Sequence, residues 1–451
     1  MYDLIVIGAG PGGYEAAAHA GAMGKKVAVV ERQYLGGTCL NVGCIPAKTF
    51  LKSARLFADC RQAAAYGVHV PEARFDLAAV VERKNRVVST LLRGVEGLLK
   101  RTRVEVITGH ARLTSRNTIQ VGAESFAARN ILIATGSRTA VPPIPGIHSD
   151  RVLDSTSVLN LTQVPDRLAI IGAGYIGLEF ASFFAAAGTQ VTVIEILPQI
   201  ASGTDSDISS RLLQALKKAG IGFHTSSKAT GLDGDTVHCE DRTGAKLTFS
   251  ADYILNASGR VPVLEDLGLE QVGVDFDARG IRTSDQGRTN IPGLWACGDV
   301  TGRRMLAHAA TREGIVAVNN MFGHKDRIRY DAIPSVIYTH PEVASAGKTE
   351  QELIEQGIDY RKSLVPMTVA GRFLIENEGE SGVVKVLAGA RYGEILGVHA
   401  LGDLSSEFIV AAAAMIETEM CAAEAGELVF PHPTVAEALK QAIQQVVSSA
   451  D

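Results

Sequence analysis

The sequence predicts an α/β chain of several domains, and three observations carry that reading. A strand, glycine-loop, helix, strand, acid pattern occurs twice, offset by 164 residues. Glycine supplies 46 of 451 residues, about a tenth, against a typical ~7%. From about Asp331 the chain reads as an α+β unit, with strands near Ile333–Tyr338, Gly382–Leu387 and Glu394–His399 and helices after them. At ~150 residues per domain, the length alone suggests about three domains.

Composition narrows the function classes. Hydrophobic residues make up 46% and charged residues 21%, ordinary for a globular protein and too apolar for disorder. Net charge is −5, with no long basic block, so nucleic acid is not expected as the main partner. The longest apolar stretches, Leu168–Leu178 and Phe408–Ile416, fall short of the ~20 residues a bilayer needs. Leu4–Ile7 already reads as a strand, so no signal peptide is expected. A cytoplasmic location follows as an expectation, or an organelle matrix if a transit peptide has been removed.

The first copy of the pattern begins at once. Asp3–Gly8 is an apolar run ending in glycine, as a buried parallel strand would. Gly8, Gly10 and Gly13 form Gly-x-Gly-x-x-Gly, an alanine-rich helix follows, and Val27–Val30 leads to Glu31. The first glycine permits a tight turn, the second lets backbone approach a pyrophosphate, and the third lets helix and strand pack closely. The helix N-terminus then offers free N–H groups to phosphate. Glu31 could accept from a ribose hydroxyl. The second copy runs from Arg167–Ile171 through Gly172, Gly174 and Gly177 to Glu195. First glycine and acid are 23 residues apart in both. Two Rossmann-like dinucleotide sites imply two cofactors and an electron relay between them. A carboxylate at Glu195 suits the free 2′-hydroxyl of NAD and repels the phosphate of NADP, and no Lys or Arg lies between Glu195 and Arg211.

Between the copies lies Gly36–Lys48, with Cys39 and Cys44 spaced Cys-x4-Cys. On an ideal helix such positions are about 8–9 Å apart at Cα. A disulfide needs them within ~7 Å, so the turn must be distorted, and Gly43 eases that. A redox disulfide, two unpaired thiols and a metal pair are all readings of this spacing. A plant-type iron–sulfur cluster wants a third cysteine where Ala47 stands, and structural zinc usually wants four ligands. Cys60, Cys239, Cys297 and Cys421 are isolated, and no metal site is expected.

Near the C-terminus, Phe430–Glu437 introduces the last helix. Thr434 with Glu437 reads as a capping box, and His432 between two prolines as a turn histidine. Asp205–Gly220 reads as an ordinary capped amphipathic helix.

The Gly36–Lys48 segment resembles the active-site segment of the flavin-dependent pyridine nucleotide–disulfide oxidoreductases, and the resemblance extends over nearly the whole chain. Ala134-Thr135-Gly136 resembles the segment closing the family's first dinucleotide domain, and Ala257–Arg260, with Gly259, the one near the end of the second. Leu294–Asp299 resembles the motif whose aspartate, here Asp299, bonds the ribityl chain of FAD; Met305–His308, with Ala307, would follow it beside the flavin. Gly109–Ala111 resembles a segment near the adenine end of FAD. Ile333–Pro341 and His432–Glu437 resemble segments of a C-terminal dimer-interface domain.

The resemblance implies a redox disulfide between Cys39 and Cys44. It pairs Lys48 with Glu179 beside the flavin's reactive edge. It makes His432 the acid–base group and Glu437 the residue that orients the ring and stabilises its charged form, as in a hydrolase triad. It implies a homodimer in which each dyad reaches the other subunit's disulfide. Within the family the match is closest to members that oxidise dihydrolipoyl groups with FAD and NAD⁺, on free dihydrolipoamide or on a lipoyl-bearing protein of a 2-oxoacid dehydrogenase or glycine cleavage complex. A glutathione-reductase-type enzyme using NAD(P)H and a structural subunit of an acyl-transfer complex are the alternatives. The expected division is an FAD domain over 1–140, an NAD domain over 141–262, a central segment completing the FAD site over 263–331, and the interface domain over 332–451. Departures from the family pattern are Ala47 for a common serine, Ser258 and Val261–Val263 in the second closing motif, and the charged pair Arg303-Arg304 near the flavin.

Overall fold

The computed structural model describes residues 1–448, and three large sheets of five to seven strands form its frame, with smaller sheets of two or three strands beside them. The first has a parallel portion ordered Glu105–Thr108, Val27–Glu31, Tyr2–Ile7, Glu124–Ile133, Leu294–Ala296. The Tyr2–Ile7 strand is central, and Leu4, Ile5 and Val6 are fully buried. Helix Pro11–Ala22 covers one face with its alanines. The Leu294–Ala296 strand arrives from far along the chain and pairs Ala296 with Ile133, which brings Asp299 to the carboxyl end of the sheet beside Thr135. Ligands of open α/β sheets bind at that end, where the strand order reverses.

The second sheet repeats this order: Gly222–His224, Gln190–Ile194, Arg167–Ile171, Tyr253–Asn256, Val152–Leu153, all parallel. The short strand Arg260–Pro262 pairs antiparallel with Ser137–Thr139 and stitches the two units together.

The third sheet is antiparallel, ordered Ser335–Ile337, Val343–Gly347, Ile395–Leu401, Val383–Gly389, Tyr360–Pro366. Helices Ser405–Glu417 and Glu437–Ser448 pack on it. The sequence reading located three of these strands, each within a few residues, and left out Val343–Gly347 and Tyr360–Pro366. The first is Val-Ala-Ser-Ala-Gly, poor in β-branched and aromatic residues. Its small side chains suit a strand with a helix lying directly on it. Among the described residues no helix is long and apolar enough to cross a membrane.

Candidate active site

The two glycine loops are built alike. Gly8 and Gly172 have φ of +100° and +106°, and a Cβ on either would collide with the carbonyl of Ala134 or Ala257 on the neighbouring strand. A Cβ on Gly13 would strike the Gly8 carbonyl, and one on Gly177 the Gly172 carbonyl, so helix and loop touch in both. Helices Pro11–Ala22 and Tyr175–Ala187 start inside the loops, with Gly10 and Gly174 as N-caps that offer no side-chain partner.

The acids do more than the sequence reading assigned. Glu31 accepts from Ala9 N–H at 2.8 Å and Gln33 N–H at 2.8 Å. Glu195 accepts from Ala173 N–H at 2.6 Å and Leu197 N–H at 2.8 Å. Each carboxylate therefore braces its own glycine loop, and its remaining lone pairs are what a ribose can use.

A cavity of about 1140 Å³ runs from the first loop to the cysteine pair, large for one small ligand and ample for a dinucleotide. Gly8, Gly10, Glu31, Cys39, Cys44, Lys48, Thr135, Gly136, Asp299 and Ala307 line it, and Tyr175 and Glu179 enter from the second unit. Among the described residues, Gly13, Gly172, Gly174, Gly177, Glu195 and Gly259 do not line it. Neither does Ala111, which lies buried in a strand whose approach is anchored by Gly109 N–H to the Glu31 carbonyl.

Asp299 is held by a chain that the sequence reading missed. Arg260 Nε donates to Ser137 Oγ at 2.7 Å and its Nη2 to the Ser137 carbonyl at 2.6 Å, while Ser137 Oγ donates to Asp299 Oδ2 at 2.5 Å. Burial raises the Asp299 carboxyl, against the pull of Ser137 and Arg260. The loop N–H donors, glycine cradle and partly buried acid fit the expected FAD.

The cysteines straddle a helix break. Cys39 is in the short helix Gly37–Val42 and Cys44 begins Cys44–Gln62. Gly43, at φ −137° and ψ −113°, separates them, and a Cβ there would press on the Thr38 carbonyl and Cys39 Cα. This break supplies the distortion that an unbroken helix would lack. Both sulfurs are thiols here. The hydrogen bond from Cys39, with help from the Lys48 charge, pulls Cys44 down to about 7, while that same bond and burial push Cys39 up. The Lys48 ammonium thus favours a thiolate at Cys44.

Lys48, one helical turn past Cys44, donates to Glu179 Oε2 at 2.7 Å and Oε1 at 2.9 Å. Glu179 Oε1 also accepts from Tyr338 N–H at 3.0 Å, and the Lys48 ammonium lies 4.7 Å from the centre of the Tyr338 ring.

His432 Nδ1 is 2.9 Å from Glu437 Oε1, and Thr434 N–H donates to Glu437 Oε2 at 3.0 Å. One carboxylate therefore serves ring and backbone together. The full capping box does not form: Glu437 N–H donates to the Thr434 carbonyl at 3.3 Å rather than to its hydroxyl, which itself donates to the Pro431 carbonyl. His432 is 78% exposed, and neither dyad residue lines the cavity of its own chain among the described residues. A third cluster, His340, Glu380 and Asp403, brings ligand atoms within 4.8 Å of one another, with Arg55 among them as counter-cation.

Residues 2–314 match the pyridine nucleotide-disulphide oxidoreductase family and residues 333–443 its dimerisation domain. The chain belongs to the pyridine nucleotide-disulphide oxidoreductase family, and its cofactors are FAD and NAD. Dihydrolipoyl dehydrogenase 3 of Pseudomonas aeruginosa is 42% identical over 461 residues, covering 99% of this chain and 98% of the relative. Dihydrolipoyl dehydrogenase of Geobacillus stearothermophilus is 38% identical over 452 residues, covering 98% and 95%. The HOCl-induced flavoprotein disulfide reductase RclA of Escherichia coli superimposes with a TM-score of 0.86 at 27% identity, covering 98% of this chain and 99% of that one. LpdA of Mycobacterium tuberculosis does so at 0.90 and 24% identity, with the same coverage, and speaks to the fold alone.

Proposed function

We propose that this chain is a dihydrolipoyl dehydrogenase, oxidising dihydrolipoyl groups to the cyclic disulfide and passing the electrons to NAD⁺. The observation that carries the reading is the cavity itself: a cysteine pair poised at one end, and Lys48–Glu179 joining it to the second dinucleotide unit. Relatives of that name along the full chain support it.

In this reading the enzyme is a homodimer, and the dyad of one protomer serves the cysteine pair of its partner. The exposure of His432, away from its own cavity, supports this, as does the dimerisation domain. His432 takes the proton of a substrate thiol, with Glu437 holding Nδ1 so that Nε2 faces the thiol. The resulting thiolate attacks Cys39 Sγ of the oxidised pair, forming a mixed disulfide and releasing Cys44 as thiolate. The second substrate thiol then attacks the substrate sulfur of that bond, its proton passing to the departing Cys39 sulfur, so that the ring closes and Cys39 is freed as a thiol. One dithiol has lost two electrons and two protons, and the cysteine pair holds the electrons. Held by Asp299 and the first glycine loop, FAD would supply the two-electron chemistry that links the cysteine pair to NAD⁺. Lys48 favours the Cys44 thiolate, Glu179 fixes Lys48, Asp299 and the first loop bind FAD, and the second loop with Glu195 binds NAD.

Glu195 also argues against a glutathione-reductase-type enzyme, since a buried carboxylate with no following cation opposes a 2′-phosphate. The substrate is free dihydrolipoamide or the lipoyl arm of a 2-oxoacid dehydrogenase or glycine cleavage complex, and the setting is cytoplasmic. The test compares turnover of dihydrolipoamide with NAD⁺ against glutathione disulfide with NADPH while recording the flavin spectrum. The first pair should be preferred, and Cys44→Ser should abolish turnover while FAD stays bound. A colourless protein, or preference for the second pair, overturns the reading.

A further inference from the structure

Lys385 is fully buried in the middle of the Val383–Gly389 strand and does not line the cavity already described. Its ammonium lies 2.8 and 3.0 Å from the two oxygens of Asp205, 2.7 Å from Asp207 and 2.5 Å from Glu350. Asp205 is fully buried too, and belongs to the NAD unit; Lys385 and Glu350 belong to the interface domain. The Glu350 N–H donates to Asp205 at 3.1 Å, and Gln351 exchanges hydrogen bonds with Ser206. Burial would raise the Glu350 carboxyl, but Lys362, Lys385 and Tyr360 together hold it at about 2. Burying such charges is repaid only where the geometry is good and further hydrogen bonds satisfy them.

Asp205 also ends the segment that leads out of the second dinucleotide motif. It N-caps the Ser206–Lys218 helix, accepting from Asp207 N–H at 3.1 Å. Just before it, Thr204 N–H donates to the Ala201 carbonyl, and Ala201 N–H donates to the Ala173 carbonyl inside the glycine loop at 2.8 Å. Ala201 is buried with φ +49°, a conformation an alanine keeps only where its surroundings enforce it. Ala173 N–H is the donor that Glu195 accepts. An unbroken path of short bonds thus runs from Lys385 to the loop and acid of the second dinucleotide site.

We infer that Lys385 is a positioning residue for the adenosine half of the NAD site, acting from the interface domain through Asp205 and Ala201. The inference rests on the proposed assignment of NAD to the second unit. It separates the two half-reactions, because Cys39, Cys44 and the FAD cradle do not lie on this path.

The test uses the flavin-loaded dimer and ADP-ribose, which fills the adenosine half without redox chemistry. Lys385→Met should weaken ADP-ribose binding, read by calorimetry, about tenfold. Flavin reduction by dihydrolipoamide in rapid mixing should stay within about twofold of wild type, since that half-reaction is uncoupled. Asp207→Asn, at the half-exposed rim of the cluster, should shift binding the same way by less, and decides the matter alone if Lys385→Met does not fold. Unchanged ADP-ribose affinity in folded, yellow protein overturns the inference. So does flavin reduction falling in step with affinity, which is what a merely structural strut would give. If the wild type takes no electrons from dihydrolipoamide, the proposed activity fails separately; FAD retention then replaces flavin reduction as the control, and ADP-ribose still decides.

Discussion

Lys48 and Glu179, 131 residues apart, form a bidentate ion pair in which the carboxylate is buried and the lysine side chain 32% exposed. The pair joins the helix that begins with Cys44 to the helix that begins in the second glycine loop. Its charge reaches the sulfur: Lys48 lowers Cys44 and Glu179 opposes it. Lys48→Met should therefore raise the Cys44 midpoint, by roughly one unit. Less thiolate would then be present at neutral pH. Iodoacetamide alkylation of the dithiol-reduced protein, followed against pH, reads this directly. A midpoint that does not move would remove Lys48 from the thiolate's environment.

The two glycine loops offer a cleaner division of labour. Gly13→Ala and Gly177→Ala each force a Cβ into a loop carbonyl, so backbone must shift rather than a flexible side chain. Overpacking of this kind typically costs ~1–3 kcal/mol, about five- to 150-fold if it falls on affinity. Gly13→Ala should lose FAD on dilution. Gly177→Ala should stay yellow and show a raised KM for NAD⁺ with the KM for dihydrolipoamide unchanged. If both variants lose flavin equally, the second unit is not a separate cofactor site.

What could be read in advance was local. The glycine loops, Glu31, Glu195 and the break at Gly43 each depend on residues within one short segment, where turn geometry and close approach dictate residue type. The hold on Asp299 could not be read, because Arg260 reaches Ser137 only once two strands from different units pair. Lys385 was hidden for the opposite reason. A lysine inside the apolar run 382–387 looks like a solvated position, and its burial makes sense only with Asp205 from another domain beside it. Glu437 lay between: capping and catalysis looked like rivals in the sequence, and its two oxygens serve ring and backbone at once.

That double use shapes the test of the dyad. His432→Ala should slow dihydrolipoamide oxidation by ~10²–10⁴-fold, the usual worth of a positioned base. Glu437→Gln keeps an acceptor for Thr434 N–H, so the helix start should survive and the melting temperature hold. It can orient the ring but carries no charge, so turnover should fall less than in His432→Ala. Mixed dimers of His432→Ala and Cys44→Ser chains add a sharper measurement. If each dyad serves the partner's cysteines, such a dimer keeps one intact site and about half the activity per dimer. An inactive mixed dimer would place dyad and cysteines in the same chain.

Glu313 gives the pH dependence its sign. It is buried under the flavin-site turn, accepting from Gly298 N–H at 2.5 Å and Tyr330 Oη at 2.9 Å. Burial lifts its carboxyl to about 7, although both donors and Arg303 pull the other way. Because the folded value lies above the unfolded one, the folded state binds the proton more tightly. The associated stability is present below about 4.5 and is lost as pH rises through about 7, on the order of 3 kcal/mol in all. Glu313→Gln can keep the bond from Gly298 and has no proton to lose. Its melting temperature relative to wild type should therefore climb between pH 5 and pH 8 at fixed FAD. The same comparison should show flavin held more evenly across that range, since Gly298 precedes Asp299. Parallel melting curves for the two proteins would mean that Glu313 does not change protonation state between pH 5 and pH 8, and would overturn the assignment.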